Sequence, residues 1–115
     1  MKILVVEDES ICINRIVEEL ENHGILTDVI RTIEVVENID FKIYDIIILD
    51  ASLHLELDAL HLLEKIIQSG YNKPIIASSG TSSHNDKLME NGATYRINGE
   101  DKKEAAEIAV NILKL

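Results

Sequence analysis

Short, strongly apolar runs alternate along the chain with segments in which apolar residues recur every three or four positions. The apolar runs predict five β-strands, at residues 2–6, 25–30, 45–49, 74–79 and 93–97. The segments between them predict five helices, which lie between Ser10 and Gly24 and at residues 32–39, 58–69, 83–91 and 101–114. This alternation is typical of the α/β class, in which helices cover both faces of a doubly wound parallel sheet.

The strongest strand prediction is at residues 45–49, where large apolar residues follow one another without interruption. A strand of this kind suits the centre of a parallel sheet, since helices cover both of its faces. The run at residues 25–30 is less apolar, which indicates a strand nearer the edge. At the helix ends, the candidate N-caps are Ser10 and Thr32, and the predicted stops are Gly24, Gly70 and Gly92.

The composition is typical of a single domain with an ordinary hydrophobic core. The 115 residues fit one domain, 1–115, and 46% of them are hydrophobic. The single cysteine, Cys12, excludes an internal disulfide and fits a reducing cytosol. The sequence has no apolar stretch near the roughly 18 residues of a membrane span, and no signal-peptide pattern. We therefore expect a cytoplasmic protein that makes no contact with the membrane.

The charge balance argues against nucleic acid as a ligand. The chain carries 21 acidic and 11 basic residues, a formal net charge of −10, and it has no basic run. Proteins bind DNA and RNA largely by neutralising phosphates with lysine and arginine. We therefore expect no direct nucleic acid binding, and a solvated surface accounts for much of the acidity.

Two acidic clusters directly follow predicted central strands. Glu7-Asp8-Glu9 follows the first predicted strand, and Asp50 follows the third. In an open parallel sheet, ligand sites form at the carboxyl ends of the strands, where the strand order reverses. Carboxylates that converge there repel one another and favour a hard cation such as Mg²⁺. With the metal bound, one carboxylate can accept a phosphoryl group.

Four segments, in this order and each at the end of a predicted strand, resemble the receiver domain of bacterial two-component response regulators. They are Lys2–Glu9, Tyr44–Asp50, Lys73–Ser79 and Asn91–Tyr95. Each segment alone is a weak signal, but the four together are a strong one, and the resemblance extends from the first residue to the last. It implies a flavodoxin-like (βα)5 fold with five parallel strands in the order 2-1-3-4-5. It also implies phosphorelay signal transduction rather than an enzyme.

The resemblance assigns a phosphoacceptor and a Mg²⁺ site to the acidic clusters. Asp50 matches the aspartate that takes up the phosphoryl group as an aspartyl phosphate. Asp8 and Asp50 match the direct carboxylate ligands of Mg²⁺, and the backbone carbonyl of Ser52 matches the third protein ligand. Glu7 matches the remaining acidic position, which usually reaches the metal through water. Alternatively these side chains only cap strand or helix ends, although the agreement of separate segments favours the site.

The resemblance also implies a switch formed by two residues. Ser79 matches the serine or threonine whose hydroxyl binds a phosphoryl oxygen and couples phosphorylation to loop movement. The adjacent Ser78 is a second candidate for this role, and an ordinary turn serine is the simpler alternative. Tyr95 matches the aromatic residue whose rotamer changes on activation, and a half-buried strand tyrosine is its simpler alternative.

One departure from the family pattern concerns the phosphoryl group directly. The family places a lysine at the end of the fifth strand, where it pairs with the phosphoryl group, whereas this chain has Asn98 three residues after Tyr95. Asparagine donates hydrogen bonds but carries no charge. The nearby cations are Arg96, Lys102 and Lys103, and we expect none of them to substitute well.

Other departures concern the backbone around the site. Gly99 stands where the family has a proline after the lysine, and His54 stands where it often has a proline after the phosphoacceptor. The Asp-Gly pair that opens the third helix in the family is Asp58-Ala59 here, displaced by one residue as if the loop had gained an insertion. We interpret His54 and His61 as solvent-exposed residues rather than ligands of a transition metal, because the sequence has no His/Cys cluster.

The leading hypothesis is a signalling switch. A histidine kinase or phosphotransfer protein phosphorylates Asp50 with Mg²⁺, and the change spreads through Ser79 and Tyr95 to the surface of the fourth helix, fifth strand and fifth helix. That surface would bind an output domain, a downstream protein or a second copy of the chain in a homodimer. The alternative, motivated by Asn98 and the altered loop, is a pseudo-receiver that acts as a phosphorylation-independent protein-interaction module.

Two other classes of α/β protein are disfavoured. A phosphohydrolase of the haloacid-dehalogenase type needs a second aspartate two residues after its nucleophile, and that position is Ser52 here. Its nucleophile also follows the first strand, whereas Asp50 follows the third. A flavin-binding flavodoxin needs a Ser/Thr/Gly-rich phosphate loop after the first strand, and only 3% of the residues are aromatic and able to stack on a flavin.

Overall fold

The computed structural model describes residues 1–31, 38–50 and 56–114. Within these ranges one parallel sheet contains β1 (Lys2–Val6), β2 (Leu26–Ile30), β3 (Ile46–Leu49), β4 (Ile75–Ala77) and β5 (Tyr95–Arg96). The described α-helices are α1 (Ser10–Asn22), α2 (Glu56–Gln68), α3 (Ser82–Glu90) and α4 (Lys103–Leu113). A 3₁₀ turn, Phe41–Ile43, leads into β3. These elements confirm the predicted strands and four of the predicted helices; residues 32–37 of the helix predicted at 32–39, with its candidate cap Thr32, lie outside the described residues.

The strand register determines where the acidic clusters meet. The strands lie in the order β2-β1-β3-β4-β5, which confirms the flavodoxin-like arrangement and the position of β2 at an edge. Val6 of β1 lies opposite Leu49 of β3, so these two strands end at the same level. The backbone N–H of Asp50 donates to the carbonyl of Val6 over 3.0 Å, and that of Glu7 donates to the carbonyl of Ile30 over 3.0 Å. The pairing therefore extends to the acidic residue that follows each strand.

The sheet separates two hydrophobic layers. Leu4 and Val6 pack with residues of α2 and α3, whereas Ile3 and Val5 pack with residues of α1 and α4. These four residues of β1 are fully buried, as are the four residues of β3. Burying one such side chain contributes roughly 1.5–3 kcal/mol. Burial on both faces explains why the two central strands are uninterrupted apolar runs.

The start of α1 corrects one predicted cap. Ser10 is the first residue of α1, and Glu9 occupies the N-cap position. The carbonyl of Glu9 accepts the first helical hydrogen bond from the N–H of Ile13 over 2.9 Å. The Ser10 hydroxyl accepts a hydrogen bond from the guanidinium of Arg31 over 3.1 Å. Ser10 therefore connects α1 to the end of β2 instead of capping its own helix.

The described helices are short and several end at glycines. α1 and α2 have 13 residues each. In the part of the chain that the structure describes, no helix is long and apolar enough to cross a membrane. The predicted helix ends are confirmed by positive φ angles at Gly24 (71°), Gly70 (89°) and Gly92 (125°). Glycine adopts such angles without the steric cost that a Cβ imposes.

We predict that Gly92→Ala destabilises the fold more than Gly24→Ala does. The φ of Gly92, 125°, lies outside the left-handed region that other residues sometimes adopt, and a Cβ there would overlap Ile67 of α2. The φ of Gly24, 71°, lies within that region, and no described atom lies within 4 Å of its Cβ position.

We expect Gly92→Ala to lower the free energy of unfolding by about 2–3 kcal/mol and Gly24→Ala to lower it by about 1 kcal/mol. Urea unfolding of both variants measures the difference. Equal losses would contradict the backbone constraint assigned to Gly92.

Candidate functional site

Three carboxyl groups converge at the carboxyl ends of β1 and β3. One carboxylate oxygen from each of Glu7, Asp8 and Asp50 lies within 4.8 Å of the others. Glu7 and Asp50 are buried, at 1% and 3% exposure, and Asp8 is half-buried. The convergence follows from the register, because Glu7 and Asp50 each come directly after one of two strands that end side by side. Oxygen ligands at this spacing suit a hard cation, so the donor set fits the Mg²⁺ that the resemblance implies.

Glu7 is fixed at the start of the loop between β1 and α1. Its Oε2 accepts hydrogen bonds from the backbone N–H groups of Asp8 (3.1 Å) and Glu9 (3.4 Å). Burial and a hydrogen bond with Asp50 together raise the pKa of Glu7 to about 7, against the opposing effect of the positive charge of Lys102. Near neutral pH, Glu7 is therefore partly protonated, which relieves some of the repulsion among the carboxyl groups.

Lys102 reaches this site from the far end of the chain. Its Nζ donates to Glu7 Oε1 over 2.9 Å and lies 3.2 Å from Asp50 Oδ1. Lys102 is only 8% exposed. Burial lowers the pKa of a lysine, but the charges of Asp50 and Glu7 outweigh burial here and raise the pKa of Lys102. Lys102 is therefore a buried, charged partner of two acidic residues.

The sequence gives no indication that Lys102 reaches the acidic site, although its ammonium group contacts both Glu7 and Asp50. Lys102 occupies the N-cap position of α4, at the end of a turn that follows β5. Glu104 closes this turn: its Oε2 accepts from the N–H of Asn98 (2.7 Å) and its Oε1 accepts from the N–H of Gly99 (2.9 Å). The alternation of side chains along a strand predicts side-chain directions only up to the strand end near Asn98. It cannot predict the direction of Lys102, which depends on the path of the turn that follows.

Ser79 lies buried at the junction between β4 and α3. Its N–H donates to Asn85 Oδ1 over 2.8 Å, and its carbonyl accepts from Asn85 Nδ2 over 2.8 Å. Its Oγ accepts from the N–H of Thr81 over 3.1 Å. Asn85, which is 1% exposed, therefore fixes the loop that contains Ser79. Sequence reasoning missed Asn85, whose one signal is a polar residue three positions before the core residue Leu88.

The neighbouring Ser78 is in a different environment. Its N–H donates to the carbonyl of Leu49 over 2.9 Å, which continues the pairing of β4 with β3. Its buried Oγ has no hydrogen-bond partner among the described residues. Ser78 therefore belongs to the sheet, whereas Ser79 belongs to the loop that leads into α3.

A family model for the response regulator receiver domain matches residues 3–110 of the chain. The chain belongs to this family. The match extends from β1 into α4 and includes the three converging carboxyl groups, Ser79 and Lys102.

Known proteins similar to this receiver domain include one curated regulator and several solved structures. The transcriptional regulatory protein BasR of Escherichia coli K12 is 29% identical over 89 residues, which are 76% of this chain and 40% of BasR. A signal receiver domain of a two-component histidine kinase from Clostridium thermocellum matches with a TM-score of 0.80 at 16% identity, over 99% of this chain and 98% of that one. The BeF3-activated N-terminal receiver domain of Klebsiella pneumoniae RstA gives a TM-score of 0.77 at 22% identity, over 98% and 97%. The structures show the shared fold, and this chain spans about two fifths of the length of BasR.

Other residues near the position of the family's lysine make different contacts in this receiver domain. The side chain of Asn98 is exposed. Lys103, the residue after Lys102, pairs with Glu19 of α1 over 3.8 Å. Of these three residues, Lys102 is the one that contacts Asp50.

The two residues of β5 lie on opposite faces of the sheet. Tyr95 pairs with Ile76, a member of the layer between the sheet and α1 and α4, and it is 42% exposed. Arg96 lies on the other face, where its guanidinium bonds to Asp86 and, over 2.8 Å, to Ser82 Oγ. Both partners are in α3. Arg96 is therefore the residue through which β5 contacts α3, while Tyr95 is a partly exposed strand residue.

Some predicted features of the receiver site fall on or near the loop after β3. Ser52 and His54 lie outside the described residues. α2 begins at Glu56, two residues before the predicted start of the helix at Asp58. His61 is exposed on α2, as expected from the sequence.

We predict that the metal-free receiver domain loses stability as the pH rises from about 5 to about 7.5. The folded-state pKa of Glu7, about 7, lies above the ordinary value of 4.5. The folded state therefore binds more protons than the unfolded state in this window, so its stability falls as the pH rises. The loss assigned to Glu7 is on the order of 2 kcal/mol.

Urea unfolding in the presence of a chelator, repeated across this window, measures the loss. Glu7→Gln removes the titrating group and should remove most of the slope. Glu9→Gln, at an exposed carboxylate two residues away, is the matched control and should leave the slope unchanged. An unchanged slope in Glu7→Gln would contradict the assignment.

Proposed function

We propose that this receiver domain acts in the cytoplasm as a signalling switch that is phosphorylated on Asp50. The donor would be a histidine kinase or a phosphotransfer protein. Asp8, Asp50 and the backbone carbonyl of Ser52 would bind Mg²⁺ directly, and Glu7 would reach it through water. The observation that best supports this proposal is the convergence of three carboxylate oxygens within 4.8 Å at the ends of β1 and β3.

The chemistry of the proposed transfer requires a positioned carboxylate and charge neutralisation. As an oxygen of Asp50 forms its bond to phosphorus, the P–N bond of the donor's phosphohistidine breaks and its electron pair stays on the imidazole nitrogen. Bound Mg²⁺ supplies neutralisation of the phosphoryl oxygens. The domain contributes position: strand pairing fixes the backbone of Asp50, and Lys102 contacts its carboxylate. The domain is thus the acceptor of the group and not an enzyme that turns over a separate substrate.

Ser79 is the residue that would transmit the change to α3. In the proposal its hydroxyl donates a hydrogen bond to a phosphoryl oxygen on Asp50. Ser79 Oγ accepts a hydrogen bond from the N–H of Thr81, so movement of Ser79 would also displace the loop that leads into α3. The paired hydrogen bonds with Asn85 would carry that movement into the helix itself.

The surface that responds would consist of α3, β5 and α4, which are the fourth helix, fifth strand and fifth helix of the sequence prediction. Arg96 joins β5 to α3 through Asp86 and Ser82. Tyr95, at 42% exposure, offers an aromatic side chain to a partner and remains the proposed switch residue. The partner would be an output domain, a downstream protein or a second copy in a homodimer; BasR, of which this chain spans 40%, is a transcriptional regulatory protein and supports an output role.

The alternative function is a pseudo-receiver, a protein-interaction module that works without phosphorylation. The observation in its favour is the exposed Asn98 at the position where the family has lysine. The two functions differ in one measurable respect, since only the switch responds to a phosphoryl mimic in the presence of Mg²⁺.

We predict that Asp50→Asn abolishes labelling of the domain by a small phosphodonor such as phosphoramidate with Mg²⁺. The amide of asparagine is a poor nucleophile toward phosphorus, so the acyl phosphate cannot form. Intact-protein mass spectrometry detects the added phosphoryl group. The matched control is Asp45→Asn, which changes the same residue type just before β3, where Asp45 accepts from the N–H of Lys2 over 2.9 Å. This control should be labelled like the unsubstituted protein, and persistent labelling of Asp50→Asn would refute Asp50 as the acceptor.

We predict two successive sets of amide chemical-shift changes when the protein is titrated first with Mg²⁺ and then with beryllofluoride. Mg²⁺ alone should shift the amides of Asp8 and Asp50. Adding beryllofluoride should extend the shifts to Ser79, Asn85 and α4, because the mimic reaches the loop that starts α3. Shifts with Mg²⁺ alone and none on adding beryllofluoride would favour the pseudo-receiver.

A further inference from the structure

We propose that Lys102, from the N-terminus of α4, supplies the positive charge that the family places at the end of its fifth strand. This inference rests on the proposed phosphorylation of Asp50. The observation that carries it is the position of Lys102 Nζ, 3.2 Å from Asp50 Oδ1 and 2.9 Å from Glu7 Oε1. Lys102 is 8% exposed, so its charge is directed at these two carboxyl groups and not at solvent.

The ammonium group has the donors that the role requires. A lysine ammonium has three N–H donors, and Glu7 and Asp50 account for two of them. A phosphoryl group bonded to Asp50 would lie next to the Nζ and bring further negative charge to the same place. Lys102 would then donate to a phosphoryl oxygen while it keeps its contact with Glu7. It makes and breaks no covalent bond in this role.

The backbone on both sides of Lys102 is anchored, which keeps its side chain in place. Asp101 forms a two-bond pair with Arg15 of α1, in which Arg15 Nε donates to Asp101 Oδ1 over 2.8 Å and Arg15 Nη2 donates to Asp101 Oδ2 over 2.5 Å. Asp101 Oδ1 also accepts from the N–H of Lys103 over 3.0 Å. Glu104 closes the preceding turn through its two backbone hydrogen bonds. The turn therefore presents Lys102 to the site from a fixed position.

A purely structural role for Lys102 predicts a different outcome. If Lys102 only neutralises the carboxyl groups of the metal-free protein, its removal changes the affinity for Mg²⁺ but not the affinity for a phosphoryl mimic at saturating Mg²⁺. If Lys102 pairs with the phosphoryl group, its removal has opposite effects on the two ligands. The affinity for Mg²⁺ rises because a nearby positive charge is lost, and the affinity for the anionic mimic falls for the same reason.

The experiment measures both affinities, by amide NMR titration with Mg²⁺ alone and then with beryllofluoride at saturating Mg²⁺. Lys102→Gln should bind beryllofluoride at least about tenfold more weakly, which corresponds to the loss of one charge-assisted hydrogen bond, and should bind Mg²⁺ several-fold more tightly. Lys103→Gln, the matched control at the adjacent lysine, should bind both ligands as the unsubstituted protein does. Thermal unfolding checks that each variant folds, and Lys102→Met, which keeps most of the side-chain length, replaces Lys102→Gln if the latter does not fold.

The outcomes separate this inference from the proposed function. If the unsubstituted protein binds beryllofluoride and Lys102→Gln binds it equally well at saturating Mg²⁺, the proposed role of Lys102 is overturned and Asp50 remains the acceptor. Unsubstituted protein that binds no beryllofluoride would overturn the phosphoacceptor function, and the role of Lys102 with it. Weaker beryllofluoride binding combined with tighter Mg²⁺ binding supports the inference.

Discussion

The parallel pairing of β1 with β3, in a register that ends both strands at the same level, is the constraint on which the site depends. Val6 lies opposite Leu49, so Glu7 and Asp50 meet at one edge of the sheet. Four fully buried residues in each strand hold this register, since a slip of one residue would exchange the side chains that pack in the two hydrophobic layers. Acidic groups that would otherwise separate in solvent are kept together because the apolar strands beneath them cannot shift.

The same constraint leaves the metal-free site with an excess of negative charge. Among the described residues, three carboxyl groups face one ammonium group, that of Lys102. Removing charges from water is costly unless the remaining interactions compensate for it, and the raised pKa of Glu7 is the direct consequence. A divalent cation would neutralise the excess charge. The loss of stability that we predict for the ionised, metal-free site and the cation binding that we propose for it therefore have one physical origin.

The sequence predicts those parts of the molecule that depend on the spacing of apolar residues within one short segment. β3 and the acidic residue after it are the clearest case, because a strand covered on both faces must be an uninterrupted apolar run. The strand order is not visible in periodicity, and it was available only through the family resemblance. Lys102 and Asn85 could not be predicted, because their contacts depend on the path of a turn and on the rotation of a helix. Neither property is encoded in the spacing of apolar residues.

Lys102 places a positive charge at the N-terminus of α4. A positive charge at the N-terminus of a helix is unfavourable with respect to the helix dipole, so helix formation does not explain a lysine there. The contacts with Glu7 and Asp50 offset that cost, and local rules are typically broken where a site requires it. In the family pattern the lysine belongs to a strand end, whereas here the cation belongs to α4, which Asp101 anchors to α1. A change of charge at Asp50 would therefore act on α4 directly and would not need to pass through β5.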